Sequence, residues 1–408
     1  MPQNDKNVLE TCGLPIFFKV DNAEEIGIRA PENRKGLAVR TWVRSLSVMQ
    51  KEALVISGTT GLGWRFASDE GPYLNSFDSA PCPLAFFTTG MVSSYMNEIQ
   101  ALAAIQNLKI KNIRLVQDSY YTMEGSLPRG TMIGGGALPI DLDIQIEADA
   151  DDSEIKKLVY DAIYASPVNG LMRESLISRF TLSRNGQPVG VGRVAALDGS
   201  VEPDPGDRFP SVRVSSDPQV AEPLIEKREQ VQAKTGVAGG TGSSLKSEQS
   251  RKLHVRGICT IREDGVKQID QYLFSPLGSR FHFLSDEAPQ HGGQGKAPDA
   301  VSYLSAGIGF CYMTQLGRYA TILKKDLADC RIVQDTHFSL GGATGGTGIK
   351  GEADPVETHV YLNTSEDDDF ARDSVDMGEQ TCFLHAFSRT ELKPNIKNIS
   401  LIERKSLN

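Results

Sequence analysis

Long apolar runs, basic clusters and, across the first 253 residues, histidine are what this sequence lacks. No stretch approaches the roughly 18 apolar residues a membrane-spanning helix requires, so no transmembrane segment is expected. Lys and Arg number 43 against 52 Asp and Glu, a formal net charge of −9 without a basic stripe. Nucleic-acid binding draws on clustered cations, so that function class is excluded. The opening residues MPQNDKNVLETCGLP carry no basic segment followed by an apolar core, and the chain therefore reads as cytoplasmic. Cysteine is scarce as well. Six in 408 residues, at 12, 82, 259, 311, 330 and 382, are too few and too irregular for a secreted disulfide framework. In a reducing compartment thiols are the default state, and a particular pair can be catalytic. Neither glycine run, Gly134–Gly136 or Gly341–Gly348, has the lysine-bearing strand-to-helix context of a phosphate loop, so both read as turns. The acidic runs Asp149–Asp152 and Glu366–Asp369 lack calcium-loop spacing and read as helix starts, where carboxylates favour the dipole. No cofactor and no metal are expected.

What the sequence does have is a long internal repeat. Ser68-Asp69-Glu70, Pro81, Gly90, Tyr95-Met96 and Arg114-x-Val116-Gln117-Asp118 return 217 residues later as Ser285-Asp286-Glu287, Pro298, Gly307, Tyr312-Met313 and Arg331-x-Val333-Gln334-Asp335. That period is far beyond a solenoid unit, so it marks a duplicated domain. With 39% hydrophobic and 23% charged residues, a globular composition, the chain divides into a first domain (1–205), a linker (206–250) and a second domain (251–408). The copies differ where chemistry is concerned. Cys311 and Cys382 in the second copy face Ser94 and Ser166 in the first, and all six histidines lie in the second.

Short alternating runs over 37–66 and 253–283 predict strands, and Asp69–Pro81 reads as a loop leading into a helix. In the second copy that helix starts near Pro298-Asp299 and carries Val301, Leu304, Ile308, Cys311 and Leu316 among small residues and few charges. It is expected to be buried nearly all round. Strands are expected at Cys330–Leu340 and Val356–Asn363. Ile155, Leu158, Val159, Ala162 and Ile163 mark a helix after Ser153 as N-cap, ending at Ser166. Its counterpart, Asp367–Phe387, is less regular because of Gly378 and ends near Thr381-Cys382. Between the copies, Gly236–Ser244 has linker composition and Pro223–Glu226 reads as a short helix.

This order, with strands, a buried helix bearing one cysteine, two strands and a helix ending in another, resembles the OsmC/Ohr family of thiol peroxidases. The resemblance covers about 37–185 and 251–402, and rests on Ser285-Asp286-Glu287, Gly292-Gly293 and Ala297-Pro298 before the helix, then Cys311 and Cys382. It implies an α+β fold of antiparallel sheets around central buried helices, the two halves forming an intertwined pseudo-dimer. It also implies a thiol-dependent reductase of organic hydroperoxides, with Cys311 peroxidatic, Cys382 resolving, and an external thiol as reductant. One departure stands out: Pro298 lies further from the cysteine than in the family and is followed by Asp299, where the family has Glu. Asp299 and Glu287 are the acidic site candidates.

A buried thiol needs a nearby cation to ionise. By resemblance an arginine on an N-terminal strand supplies it, which points to Arg256 or, from the other half, Arg40. The one-sided histidines keep a second class open. If His385 or His337 reaches Cys311, the pocket suits Cys/His hydrolysis or acyl transfer of a small organic substrate, and a Cys/His cluster can also hold a metal. A binding protein for an apolar small molecule is the third reading. Pairing of whole chains is left open.

Overall fold

The computed structural model describes residues 6–47, 49–126, 131–199, 201–220, 222–230 and 243–401. The Gly236–Gly242 part of the expected linker lies outside them. After a short helix α1 (Val8–Thr11), the first half runs β1 (Phe18–Val20), β2 (Gly36–Ser45), β3 (Lys51–Ser57), β4 (Gly63–Ser68), helix α2 (Pro83–Ile105), β5 (Ile110–Ser126), β6 (Thr131–Ala137), β7 (Asp141–Ala148), helices α3 (Asp152–Ala165) and α4 (Gly170–Arg173), β8 (Arg179–Arg184), β9 (Gln187–Val189) and β10 (Ala195–Ala196). The second half runs β11 (Ile225–Glu229), β12 (Glu248–Ile261), β13 (Lys267–Ser275), β14 (Arg280–Ser285), α5 (Ala300–Leu323), β15 (Asp329–Ser339), β16 (Glu357–Asn363), α6 (Asp368–Thr381), α7 (Phe383–Arg389) and β17 (Asn395–Leu401).

The halves do not fold side by side. One sheet has the order β1-β4-β3-β2-β15-β16-β8-β10, the other β11-β14-β13-β12-β5-β7-β17, so each joins a three-strand meander of one half to strands of the other. The pairing is antiparallel except where β8 meets β16 and β10, and where β17 meets β7. This is a mixed α+β fold rich in antiparallel sheet. Helix α5 packs on β2, β3 and β15, helix α2 on β12, β13 and β5, and the two helices pack on each other between the sheets.

Sequence explains that centre. All residues from Pro83 to Met96 in α2 and from Ala300 to Arg318 in α5 are buried, as their low charge density requires. The helices cross at a repeated glycine pair. A Cβ on Gly90 would stand 2.6 Å from the Ala300 carbonyl oxygen, and one on Gly307 would stand 2.7 Å from the Phe87 nitrogen. Only glycine admits that approach. Phe66 and Phe86 from the first half meet Phe283, Tyr303 and Phe310 from the second, with Phe86 5.1 Å from Phe310 between ring centroids. Each such ring, fully buried, contributes about 1.5–3 kcal/mol, so the seam between halves is the core itself.

Several local expectations are corrected. Pro223–Glu226 is not a helix; Ile225–Glu229 is strand β11, paired antiparallel with β14. The cap of α3 is Asp151, not Ser153. Asp151 accepts from Ser153 N (2.8 Å) and Glu154 N (2.9 Å), while Glu154 reaches back to Asp151 N (3.1 Å); the acid-x-x-Glu box satisfies more free N–H groups than Ser153 can. The Asp367–Phe387 segment breaks at the extended Cys382 and not at Gly378, which stays helical where a Cβ would stand 2.9 Å from Leu316 and 3.0 Å from Tyr312. Gly134–Gly136 lies within strand β6, paired to β5, and is not a turn. A Cβ on Gly135 would stand 2.6 Å from the Thr381 carbonyl oxygen, so glycine lets β6 pass under the α6–α7 junction.

Candidate active site

Cys311 lies midway along α5, 2% exposed, and Cys382 ends α6 and starts α7, fully buried. The backbone at Cys382 turns extended (φ −73°, ψ 120°), which ends the helix and aims its side chain back at α5. The thiols are close enough to interact, and both are free. Burial pushes the Cys311 thiol well up, and the adjoining Cys382 and the Glu70 charge push it further, whereas the Leu384 N–H acts the other way. The first half repeats the geometry without sulfur. Ser166 has the same extended turn (φ −62°, ψ 131°), and its hydroxyl meets that of Ser94 at 2.9 Å.

A narrow cleft leads to Cys311, with about 30 Å³ of space for water-sized molecules. Its polar lining includes Glu70, Tyr73, Ser244, Arg251, Thr314, Gln315 and Arg318. Glu70 comes from the first half. Its Oε1 accepts from the Thr314 hydroxyl (2.8 Å) and lies 3.4 Å from Lys51 Nζ, and its Oε2 accepts from the Tyr73 hydroxyl (2.7 Å). The repeated Ser-Asp-Glu triplet thereby acquires a role for each residue. Ser68 donates to the Pro81 carbonyl at the helix start (2.9 Å), Asp69 accepts from Ser79 N (2.9 Å) to shape the loop, and Glu70 reaches the helix of the other half. The second triplet mirrors this: Ser285 donates to Pro298 O (3.0 Å), Asp286 accepts from Gln294 N (3.0 Å), and Glu287 accepts from Asn97 of α2 (2.6 Å).

Arg251 and Arg318 bring two cations. Arg251 Nη1 donates to the Ser244 hydroxyl; Arg318 donates from Nε to the Ser244 carbonyl (2.6 Å) and from Nη1 to Gln315 (3.3 Å). Burial lowers both, Arg251 to about 10 and Arg318 to about 9, the latter also because Arg251 stands beside it. Both remain charged at neutral pH. Thr314, Gln315 and Arg318 follow Cys311 at three, four and seven residues, one face of a helix. Cys82, which precedes α2, also lines the cleft, its thiol pushed up to about 12, mostly by burial.

The remaining expected residues lie elsewhere. Arg256 pairs with Asp118 across β12 and β5 (2.9 and 2.8 Å), and Arg40 pairs with Asp335 across β2 and β15 (2.7 and 2.6 Å). The reason is parity: in β12 the residues 249, 253, 255, 257 and 259 are buried, and Arg256 sits on the opposite face, whereas Arg251 shares theirs. These arginines clamp the halves together and do not line the cleft. Asp299 caps α5, accepting from Ser302 N (2.8 Å) and Ser57 Oγ (2.7 Å); twelve residues of helix put it about 18 Å from Cys311. Glu287 belongs to the Ser94 side, as its contact with Asn97 shows, and its carboxyl is raised to about 7, chiefly by burial. His385 is 1% exposed, packed against Tyr312 and Phe180 (ring centroids 5.2 and 5.6 Å), and His337 lies buried on β15. Neither lines the cleft, so no imidazole is poised on the thiol. Among the described residues no three His, Cys, Asp or Glu side chains converge as a metal site requires.

No protein-family model and no curated protein matches the chain. It is similar to a solved structure, an OsmC-like hydroperoxide resistance protein from Jannaschia sp. CCS1. The two are 19% identical over 31% of this chain and 79% of that one, with a TM-score of 0.20. Among the described residues no helix is long and apolar enough to cross a membrane.

Glu70, Arg251 and Arg318 escaped the sequence reading. Glu70 stands in the repeated triplet, but the acid expected at the site was its counterpart Glu287, in the same half as Cys311, whereas the cleft takes the acid of the opposite half. Strand parity identifies Arg251, and the seven-residue step from Cys311 identifies Arg318.

Proposed function

We propose that the chain is a fused pair of OsmC-like halves arranged as an intertwined pseudo-dimer, working as one thiol-dependent hydroperoxide reductase. The observation that carries this reading is the facing pair Cys311 and Cys382 at the end of a cleft completed by Glu70 from the opposite half. Cys311 lies on the cleft wall and Cys382 behind it, the order that a peroxidatic and a resolving thiol require.

The chemistry balances with these residues. The Cys311 thiolate attacks the terminal oxygen of ROOH; the O–O bond breaks, the sulfur is oxidised to a sulfenic acid, and RO⁻ takes up a proton and leaves as ROH. The Cys382 thiol then attacks the sulfenic sulfur, expelling water and forming a disulfide. An external dithiol reduces that bond by exchange and restores both thiols. Arg251 and Arg318 are the cations available to hold the thiolate, offsetting burial and the Glu70 charge. The Ser94–Ser166 pair keeps the packing but cannot be oxidised, so the first half serves as wall and core.

Turnover tests the assignment. With an organic hydroperoxide and excess dithiol, Cys311→Ser is expected to abolish peroxide consumption, and Cys382→Ser to lower steady-state turnover at least tenfold while retaining one equivalent of rapid consumption. Loss of activity in Cys311→Ser with full turnover in Cys382→Ser would contradict the resolving role.

A further inference from the structure

The halves also differ at a second pair of equivalent places, where α3 and α4 in the first half answer to α6 and α7 in the second. Arg173, at the end of α4, donates to the carbonyls of Tyr164 and Gly351. Its equivalent Arg389, at the end of α7, donates to the equivalent carbonyls of Gln380 (3.0 Å) and Gly135 (3.2 Å). Arg389 has one partner more, the Glu379 carboxylate at 2.6 Å. The residue equivalent to Glu379 is Ile163, and among the described residues no carboxylate pairs with Arg173. The surroundings differ in the same sense. Asp376 of α6 accepts from Arg193 N (2.8 Å) and Val194 N (3.1 Å), which lays that segment over the helix, whereas its equivalent Tyr160 is 55% exposed. Where the second half has that cover, α3 borders a cavity of about 390 Å³, a size in the roughly 300–1,000 Å³ range of small-molecule pockets.

We infer that this cavity binds an aromatic carboxylate, whose charged group takes beside Arg173 the place that Glu379 holds beside Arg389. The lining fits both ends of such a ligand. Ile163, Met172, Leu392 and Ile396 supply apolar walls, and Tyr160 and Tyr164, one helical turn apart, supply two rings against which a flat body packs. Arg173, Lys350 and Lys393 face a single carboxylate of the lining, Glu174, which lies 3.5 Å from Lys350 Nζ. Arg173 and Lys393 are left without a carboxylate among the described residues, so the cavity is short of negative charge. A planar carboxylate matches the N–H edge of a guanidinium, and such charge-assisted bonds are the strong ones. The cavity shares no lining residue with the cleft at Cys311, and the inference stands apart from the reductase reading.

Calorimetric titration of the full-length protein tests the site with 2-naphthoate and with 2-naphthamide, which keeps the rings and lacks the charge. The acid is expected to bind saturably with single-site stoichiometry, and about tenfold or more tighter than the amide, the worth of a charge-assisted hydrogen bond. I163E puts a carboxylate where the second half has Glu379, and is expected to weaken the acid by about tenfold or more because Arg173 is then already paired. K393E alters an exposed side chain with no carboxylate partner to lose among the described residues, so folding is preserved; it is expected to weaken the acid severalfold and leave the amide unchanged. Absence of saturable binding, equal affinity for acid and amide, or an acid affinity that K393E leaves unchanged overturns the site, whether or not I163E folds. A folded I163E that binds the acid as tightly as the unaltered protein overturns it as well.

Discussion

The histidine nearest the thiols in sequence is also the one whose burial has the clearest consequence. Burial pulls His385 down to about 4, and neither ring nitrogen has a hydrogen-bond partner among the described residues. The unfolded chain binds a proton near pH 6.5 that the folded chain refuses until about 4. Stability is therefore full above pH 6.5 and falls as pH drops through that window, by on the order of 3 kcal/mol. His385→Phe, matched to its neighbours Phe180 and Tyr312, is expected to remove that dependence; chemical denaturation at several pH values measures it. At the equivalent place in the first half, Asn169 accepts a hydrogen bond from Tyr95 (2.6 Å), whereas His385 packs its ring on Tyr312. The Cys/His juxtaposition in sequence was legible. That the imidazole turns toward an aromatic pocket was not, because direction on a short helix depends on where the preceding extended residue releases the chain.

Elements were easier to read than their partners. The two central helices, their burial and the paired strands around them follow from charge density and alternation, and Gly90 and Gly307 were visible as a repeated pair. Their purpose is a contact between helices 217 residues apart, which no local pattern encodes. Ala normally favours a helix over Gly by about 1 kcal/mol. Here the sign reverses: Gly307→Ala forces a methyl group against the Phe87 backbone and is expected to destabilise by at least about 1–3 kcal/mol, read as a lower urea midpoint. The arginines teach the same lesson on strands. The family resemblance pointed to Arg256 as an arginine on an N-terminal strand, but a side chain five residues from Arg251 points to the opposite face, where Asp118 of the neighbouring strand receives it.

Across the whole molecule, the meander of each half completes the sheet of the other, and each helix-borne site takes its acid from the opposite half. The internal repeat was legible in the residues themselves, whereas the intertwining of the halves was implied only by the family resemblance, since no local pattern encodes the pairing of β2 with β15 nearly three hundred residues away. Equivalent positions in the two halves carry the Ser94–Ser166 hydroxyl pair in one and the Cys311 and Cys382 thiols in the other. Peptide mass spectrometry of the reduced protein after one equivalent of an organic hydroperoxide tests that asymmetry most directly. The account predicts one Cys311–Cys382 disulfide per chain, with Cys12, Cys82, Cys259 and Cys330 still reduced; unmodified Cys311 and Cys382 after the peroxide has been consumed would contradict it.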